Sequence, residues 1–191
     1  MKTAIILHGR PRSKEYFEIE FPSPSNAHWL PWLQRELLRN GILAQAPEAL
    51  KPYQPTYQAW QNAIEQFKPD DETLLVGHSC GGGMIVQWLS KNPSVKVGKV
   101  ILVAPWIDVE NEDWPAFDFE LDENLASRTS GLTIFNSTDD MPEIQSSVDK
   151  LRAVLKDFKY VEFEDKGHFT HSRLPDDTFP ELLQECLMGN T

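Results

Sequence analysis

Apolar residues in this chain fall into short unbroken runs, Thr3–Leu7, Ile42–Ala46, Thr73–Val76, Lys99–Val103, Leu132–Phe135 and Tyr160–Phe163. Between them, apolar positions recur every third or fourth residue. Short runs bounded by turn residues predict strands, and their alternation with helical spacing predicts an α/β fold: a mainly parallel sheet between two helical layers, an α/β/α sandwich. A strand buried on both faces reads as continuous rather than alternating hydrophobicity. Leu74-Leu75-Val76 and Val100-Ile101-Leu102-Val103 read that way, so these two are expected at the centre of the sheet.

The helical stripes are equally legible. Trp29, Trp32, Leu33, Leu37 and Leu38 follow the candidate caps Ser25 and Asn26 and stop at Gly41, which predicts a helix over residues 27–40. Trp60, Ile64 and Phe67 make a second stripe after Pro55-Thr56. Met84, Ile85, Trp88 and Leu89 make a third directly after the glycines at 81 to 83. Val148, Leu151, Val154 and Leu155 give a fourth, and Phe179, Leu182, Leu183 and Leu187 a fifth. Their aromatic members are read as core packing rather than as a cofactor box.

Two stretches break the rhythm. Residues 10–25, with Arg10, Arg12 and Lys14, read as a loop after the first strand. Residues 106–130 carry eight carboxylates between Asp108 and Glu123, with no basic residue before Arg128. Both leave from carboxyl ends of predicted strands, where open α/β sheets form their ligand crevice, so both are expected on one rim. There, Trp106, Trp114, Phe117 and Phe119 could line a site or pack beneath the excursion, packing being the more ordinary use. No repeat or composition break divides residues 1–191, so a single domain is expected, with about two-thirds of the unfolded surface buried.

Charge narrows the function. With 29 acidic and 18 basic residues the formal charge is −11, which repels phosphate backbones and anionic lipid, and no nucleic-acid-reading motif is present. The longest apolar stretches, Ala4 to Leu7 and Val100 to Trp106, are far below the roughly 20 residues that span a bilayer, so neither nucleic acid nor membrane is an expected partner. Met1-Lys2 and four apolar residues lack a cleavage site and read as a strand rather than a leader. Cys80 and Cys186 match no metal spacing and suit a reducing compartment, so a cytoplasmic protein without metal or organic cofactor is expected.

One pentad carries chemistry. Gly77-His78-Ser79-Cys80-Gly81 matches G-x-S-x-G between a predicted strand and a predicted helix, the context in which the motif lifts a serine hydroxyl above the sheet edge. The turn is tight enough to strain the serine backbone, and it needs small neighbours two positions either side. The N–H of Cys80, at the start of the following helix, is placed to hold an oxyanion. A serine needs a base, expected later in the chain. His168, in Glu164-Asp165-Lys166-Gly167-His168-Phe169 after the last strand, is that candidate, with His171 as the substitute. The orienting acid should follow Leu132–Phe135, where Asp139 and Asp140 compete. Asp140 is preferred, and the other is expected to be a turn or cap residue for the helix starting near Glu143. The backbone N–H of Arg10, after the first strand, is the choice for a second oxyanion donor, unless Gly9 merely turns the chain. Arg10, Arg12 and Lys14 would either meet an anionic substrate group or be solvated.

Through His28-Trp29-Leu30-Pro31-Trp32-Leu33, Gly77-His78-Ser79, Ser137-Thr138-Asp139-Asp140 and Gly167-His168-Phe169, the chain resembles the α/β-hydrolase superfamily, specifically the small members typified by retinoblastoma-binding protein 9. The resemblance implies a six-stranded, mainly parallel sheet with a minimal lid. It also implies the elbow serine as nucleophile, the histidine of Gly-His-Phe as base and the second aspartate of Ser-Thr-Asp-Asp as acid. No Leu-x-Cys-x-Glu motif is present, since Cys186 sits in Leu183-Gln184-Glu185-Cys186-Leu187, so no retinoblastoma-type partner is implied. The expected function is hydrolysis of a small ester, thioester or amide through an acyl-enzyme on Ser79, with a small-molecule acyl substrate. The eight carboxylates of the excursion should disfavour anionic substrates by like-charge repulsion. The alternative is a catalytically silent protein-interaction module on the same scaffold.

Overall fold

Six strands pair in the order β2-β1-β3-β4-β5-β6, every neighbour parallel, in a computed structural model that describes residues 2–109 and 117–188. The strands are β1 (Thr3–Leu7), β2 (Leu43–Gln45), β3 (Leu74–His78), β4 (Val100–Val103), β5 (Leu132–Ser137) and β6 (Lys159–Phe163). The two runs of strongest continuous hydrophobicity are the central pair, β3 and β4. Every residue of β3, β4 and β5 is buried. Because successive side chains point to opposite faces, both faces of these strands are covered. Of the edge strands, β2 alternates exposed and buried residues, while β6 has no fully buried residue.

Among the described residues six α-helices accompany the sheet: α1 (Ser13–Phe17), α2 (Leu30–Arg39), α3 (Tyr57–Glu65), α4 (Cys80–Lys91), α5 (Pro142–Val154) and α6 (Pro180–Leu187). α4 packs on β3 and β4 with α3 beside it, while α2 packs on β1 and β2 and meets α6. α3 starts as expected, with the Thr56 hydroxyl accepting from Ala59 N–H, but it stops at Glu65 and leaves Phe67 exposed.

Three details depart from the sequence reading. α2 begins at Leu30, not residue 27, because a separate 3-10 turn occupies Pro24–Asn26. Ser25 and Asn26 cap nothing there, and Trp29 holds the N-cap position without a side-chain bond. The loop after β1 contains the short helix α1, which buries none of its residues. The acidic excursion does not all stay on the rim. Phe117 lies against the first turn of α4 at Gly83, but Asp122 N–H already donates to Ser90 Oγ near the other end of that helix (3.2 Å). There Arg128 ties the segment down, bonding Asp122 (2.7 Å) and the carbonyls of Leu89, Asn92 and Val95. Asp122 and Glu123, the latter paired with Lys156, are thus carried away from the carboxyl ends of the strands.

Candidate active site

The turn between β3 and α4 is built on missing side chains. A Cβ on Gly77 would lie 2.6 Å from Gly82 Cα, and one on Gly81 would lie 2.5 Å from the carbonyl oxygen of His8 and 2.7 Å from that of Leu7. Neither position admits a side chain. Ser79, between them, has φ 52° and ψ −121°, a left-handed backbone that a non-glycine residue adopts only under constraint. Backbone bonds supply part of that constraint: Ser79 N–H donates to Val103 O (2.9 Å), and Trp106 N–H donates to Ser79 O (3.1 Å).

Asp140 and His168 meet across 28 residues. The carboxylate lies 2.9 and 3.1 Å from His168 Nδ1 through its two oxygens, with its side chain wholly buried. It also accepts from Met141 N–H (2.7 Å). An ionised carboxylate can only accept, so Nδ1 donates and Nε2 is left to take a proton. His168 remains partly accessible, at 19%. Its ring centroid is 4.9 Å from that of His78, the residue before Ser79. The Ser79 hydroxyl is not hydrogen-bonded to the imidazole in this structure, a looseness common to nucleophile–base pairs before substrate binds.

The loop carrying His168 is held by side chains at four consecutive residues. Lys166 N–H donates to Ser137 Oγ (3.0 Å) and Gly167 N–H to Asp139 Oδ1 (2.8 Å). His78 Nε2–H donates to the carbonyl of His168 (2.8 Å), and Trp29 Nε1–H to the carbonyl of Phe169 (3.0 Å). The Phe169 ring anchors the loop from below, stacked on Phe179 at 5.3 Å. Of the two uses expected for it, turn or cap, Asp139 takes the turn rather than capping the helix near Glu143. Its carboxylate joins Ser137 Oγ (2.6 Å) to the His168 loop and lies 3.5 Å from Arg173. The hydrogen bonds from Ser137 and Gly167 hold its carboxyl below the usual range. His171 points elsewhere, pairing with Asp177 at 2.9 Å.

Sequence reasoning missed the part of this scaffold supplied by His78, Trp29 and Ser137. The only signal was polar tips in apolar surroundings: Trp29 inside a core stripe, and His78 inside the elbow. Burial, with lesser contributions from His168 and His28, drives the affinity of His78 for a proton well below the ordinary value, so this ring is a neutral donor. Burial also lowers His8 and His28. His8 Nδ1–H donates to Gly9 O (2.7 Å) while Nε2 accepts from Ala49 N–H (3.0 Å), fixing the loop after β1.

That loop reaches the elbow: a Cβ on Gly9 would lie 3.3 Å from Ser79 Cβ. Arg10 follows, its guanidinium 5.0 Å above the centre of the Trp106 ring. The Cys80 N–H belongs to the first turn of α4, where no carbonyl of the helix itself is available to accept it. The Cys80 thiol is no competing nucleophile, because burial pushes it up to about 12 against the pull of Arg10. Trp106 and Phe117 are buried and in ring contact (5.3 Å), hence packed beneath the excursion. Trp114, with Glu110, Glu112 and Asp113, lies outside the described residues. Among the described residues no three His, Cys, Asp or Glu side chains converge on a point that could hold a metal ion, and no helix is long and apolar enough to cross a membrane.

Residues 21–173, spanning β2 to β6 with the elbow and the His168 loop, match the family model for serine hydrolases. The chain belongs to the serine hydrolase family. YdeN of Bacillus subtilis (strain 168) is 29% identical over 106 residues, covering 54% of this chain and 50% of that relative, so the match spans half the relative's length. The crystal structure of the ydeN product superposes with a TM-score of 0.78 at 23% identity, over 97% of this chain and 96% of that one. Est1E from Butyrivibrio proteoclasticus, solved with ferulic acid bound, gives 0.68 at 14% identity over 97% and 86%. An α/β serine hydrolase without a lid from Xanthomonas campestris gives 0.60 at 18% over 97% and 80%. For this family member these likenesses establish the α/β-hydrolase type of sandwich.

Proposed function

We propose that this protein is a serine hydrolase that cleaves a small ester, thioester or amide through an acyl-enzyme on Ser79. The observation that carries the reading is the clamp of Asp140 on His168 Nδ1 at 2.9 Å, with the same ring against the residue preceding a serine at φ 52°. Ser79 Oγ attacks the acyl carbon while His168 Nε2 takes its proton. The tetrahedral oxyanion rests on the backbone N–H groups of Cys80 and Arg10, each such donor being worth about 2.7–4 kcal/mol in the transition state. The imidazolium, stabilised by Asp140, protonates the leaving oxygen, sulfur or nitrogen as its bond to the acyl carbon breaks. Water, deprotonated by His168, then attacks the acyl-enzyme, releasing the acid and restoring the serine. A cap could draw on no more than the 106–130 excursion, consistent with a fairly open site and with the small relatives typified by retinoblastoma-binding protein 9. No cofactor enters any step.

A fluorophosphonate probe tests this directly. It should label the wild-type protein, fail on Ser79→Ala, and label His168→Ala far more slowly. A folded wild-type protein that stays unlabelled from pH 6 to 9 would instead favour the protein-interaction module.

A further inference from the structure

Three aromatic rings stand apart from the core on the loops after β1 and β2. Tyr16, Phe17 and Tyr53 lie 4.9 to 5.2 Å from one another, centre to centre, and none of them joins the hydrophobic cluster built around the sheet. Phe17 is 69% exposed, on the helix α1, which buries nothing. On the same two loops Ile19, Phe21 and Leu50 are exposed as well. Core packing does not account for these side chains, and large apolar groups held in the open beside a concave site mark ligand contact.

The rings border a cavity that reaches the nucleophile. Its volume is about 340 Å³, and it is lined by Arg10, Pro11, Arg12, Ser13, Tyr53 and Gln54. Gly9, the residue before this lining, abuts the elbow, since a Cβ there would lie 3.3 Å from Ser79 Cβ. Pro11, the Tyr53 ring and the methylene stems of the arginines supply apolar surface. From Tyr53 that surface continues to Phe17, 5.0 Å away between ring centres.

The two sides of the site divide the substrate. His168 follows β6 and Asp140 follows β5, so a leaving group that takes its proton from His168 departs on that side. The cavity is built from the loops after β1 and β2, at the other end of the strand order. The remainder of the acyl group is what extends there.

We infer that the cavity and the three rings form a track for an unbranched aliphatic acyl chain, so that the enzyme favours acyl groups of medium length over short ones. The inference rests on the hydrolase reading and adds the substrate class. It draws on no charge at the arginines, because an aliphatic chain has none to meet. A chain suits the track better than a single ring does, since each added methylene covers more of the apolar surface between the cavity and Phe17.

4-Nitrophenyl butanoate and 4-nitrophenyl octanoate, each below its micellar concentration, provide the test. Full burial of a methylene is worth about fourfold, and about twofold is expected on a surface open to water, so octanoate should exceed butanoate about 15-fold in kcat/KM. Phe17→Ser, at a position with nothing to bury, should keep the urea midpoint and lower that ratio to about fivefold. Tyr53→Ser should lower it as well. Phe67→Ser removes an exposed ring from the connection between α3 and β3 and should leave the ratio as it is. No rise with chain length, a ratio unmoved by Phe17→Ser, or an equal fall in Phe67→Ser overturns the track. A dimer that Phe17→Ser dissociates while the ratio stays put assigns the rings to a second copy of the chain and overturns it too. Fluorophosphonate labelling separates the two readings: a protein that labels at Ser79 but ignores chain length loses only the track, whereas one that fails to label loses the hydrolase reading itself.

Discussion

His78 Nε2–H donates to the backbone carbonyl of His168 at 2.8 Å. The residue beside the candidate nucleophile therefore grips the main chain of the candidate base. This bond ties the elbow to the loop, 90 residues apart, and a neutral imidazole can make it only as a donor at Nε2.

Replacing His78 separates this role from mere packing. His78→Ala leaves the carbonyl unpaired and frees the loop, and displacement of a catalytic group by about 1 Å costs on the order of 10²-fold in rate. Esterase kcat should fall by about that much with KM little changed, and His78→Gln, which keeps an N–H donor, should recover part of it. An alanine variant within twofold of wild type in kcat would show that the bond positions nothing.

The two neighbouring aspartates should separate cleanly. Asp140→Asn removes the acceptor for Nδ1–H and should lower kcat by about 10⁴-fold on a 4-nitrophenyl ester. Asp139→Asn weakens only the tie between Ser137 and Gly167, and about tenfold is expected. The opposite ranking would reassign the acid.

Much of this arrangement was legible beforehand because its signals are local. The continuous apolar runs located the central strands, and G-x-S-x-G between strand and helix located the elbow. The Asp139/Asp140 alternatives could not be resolved from the residues alone, because both follow β5 and only the fold decides which carboxylate turns inward. The roles of Trp29 and His78 depend on contacts at separations of 140 and 90 residues, which no window of sequence contains. The descent of the excursion along α4 was hidden likewise, since Arg128 makes its bonds to carbonyls more than 30 residues upstream.

Stability should depend on pH on the acid side of neutrality. Burial lowers His78, His8 and His28 from the ordinary 6.5, with His78 further depressed by His168 and His28. The unfolded chain therefore takes up protons near pH 6.5 that the folded chain refuses, and stability is lost as the pH falls below that value. Asp139, Asp122 and Asp70, lowered in the fold from 3.8, contribute stability that is lost only at more acid pH. The urea midpoint should thus decline between pH 7.5 and 5, and less steeply in His78→Gln. A flat profile over that range contradicts the burial of neutral rings.

The glycines of the elbow should be intolerant in proportion to what a methyl would meet. In Gly81→Ala the added carbon faces the carbonyls of His8 and Leu7 at 2.5 and 2.7 Å. These are strand-end backbone atoms with little freedom to retreat. Alanine gains up to about 1 kcal/mol in a helix, while overpacking costs about 1–3 kcal/mol or more. A net loss of about 2 kcal/mol, or roughly 4–8 °C in Tm for a chain of this size, is expected by calorimetry. An unchanged Tm would mean that the turn can widen.

The bond from Trp29 to the carbonyl of Phe169 links an early helix to a late loop. The candidate base therefore reaches its place beside the elbow only after segments from early and late in the chain have met. Contacts so distant in sequence carry a loop-closure cost that local ones do not, so a chain that had laid down only its central strands would still lack the anchored His168 loop.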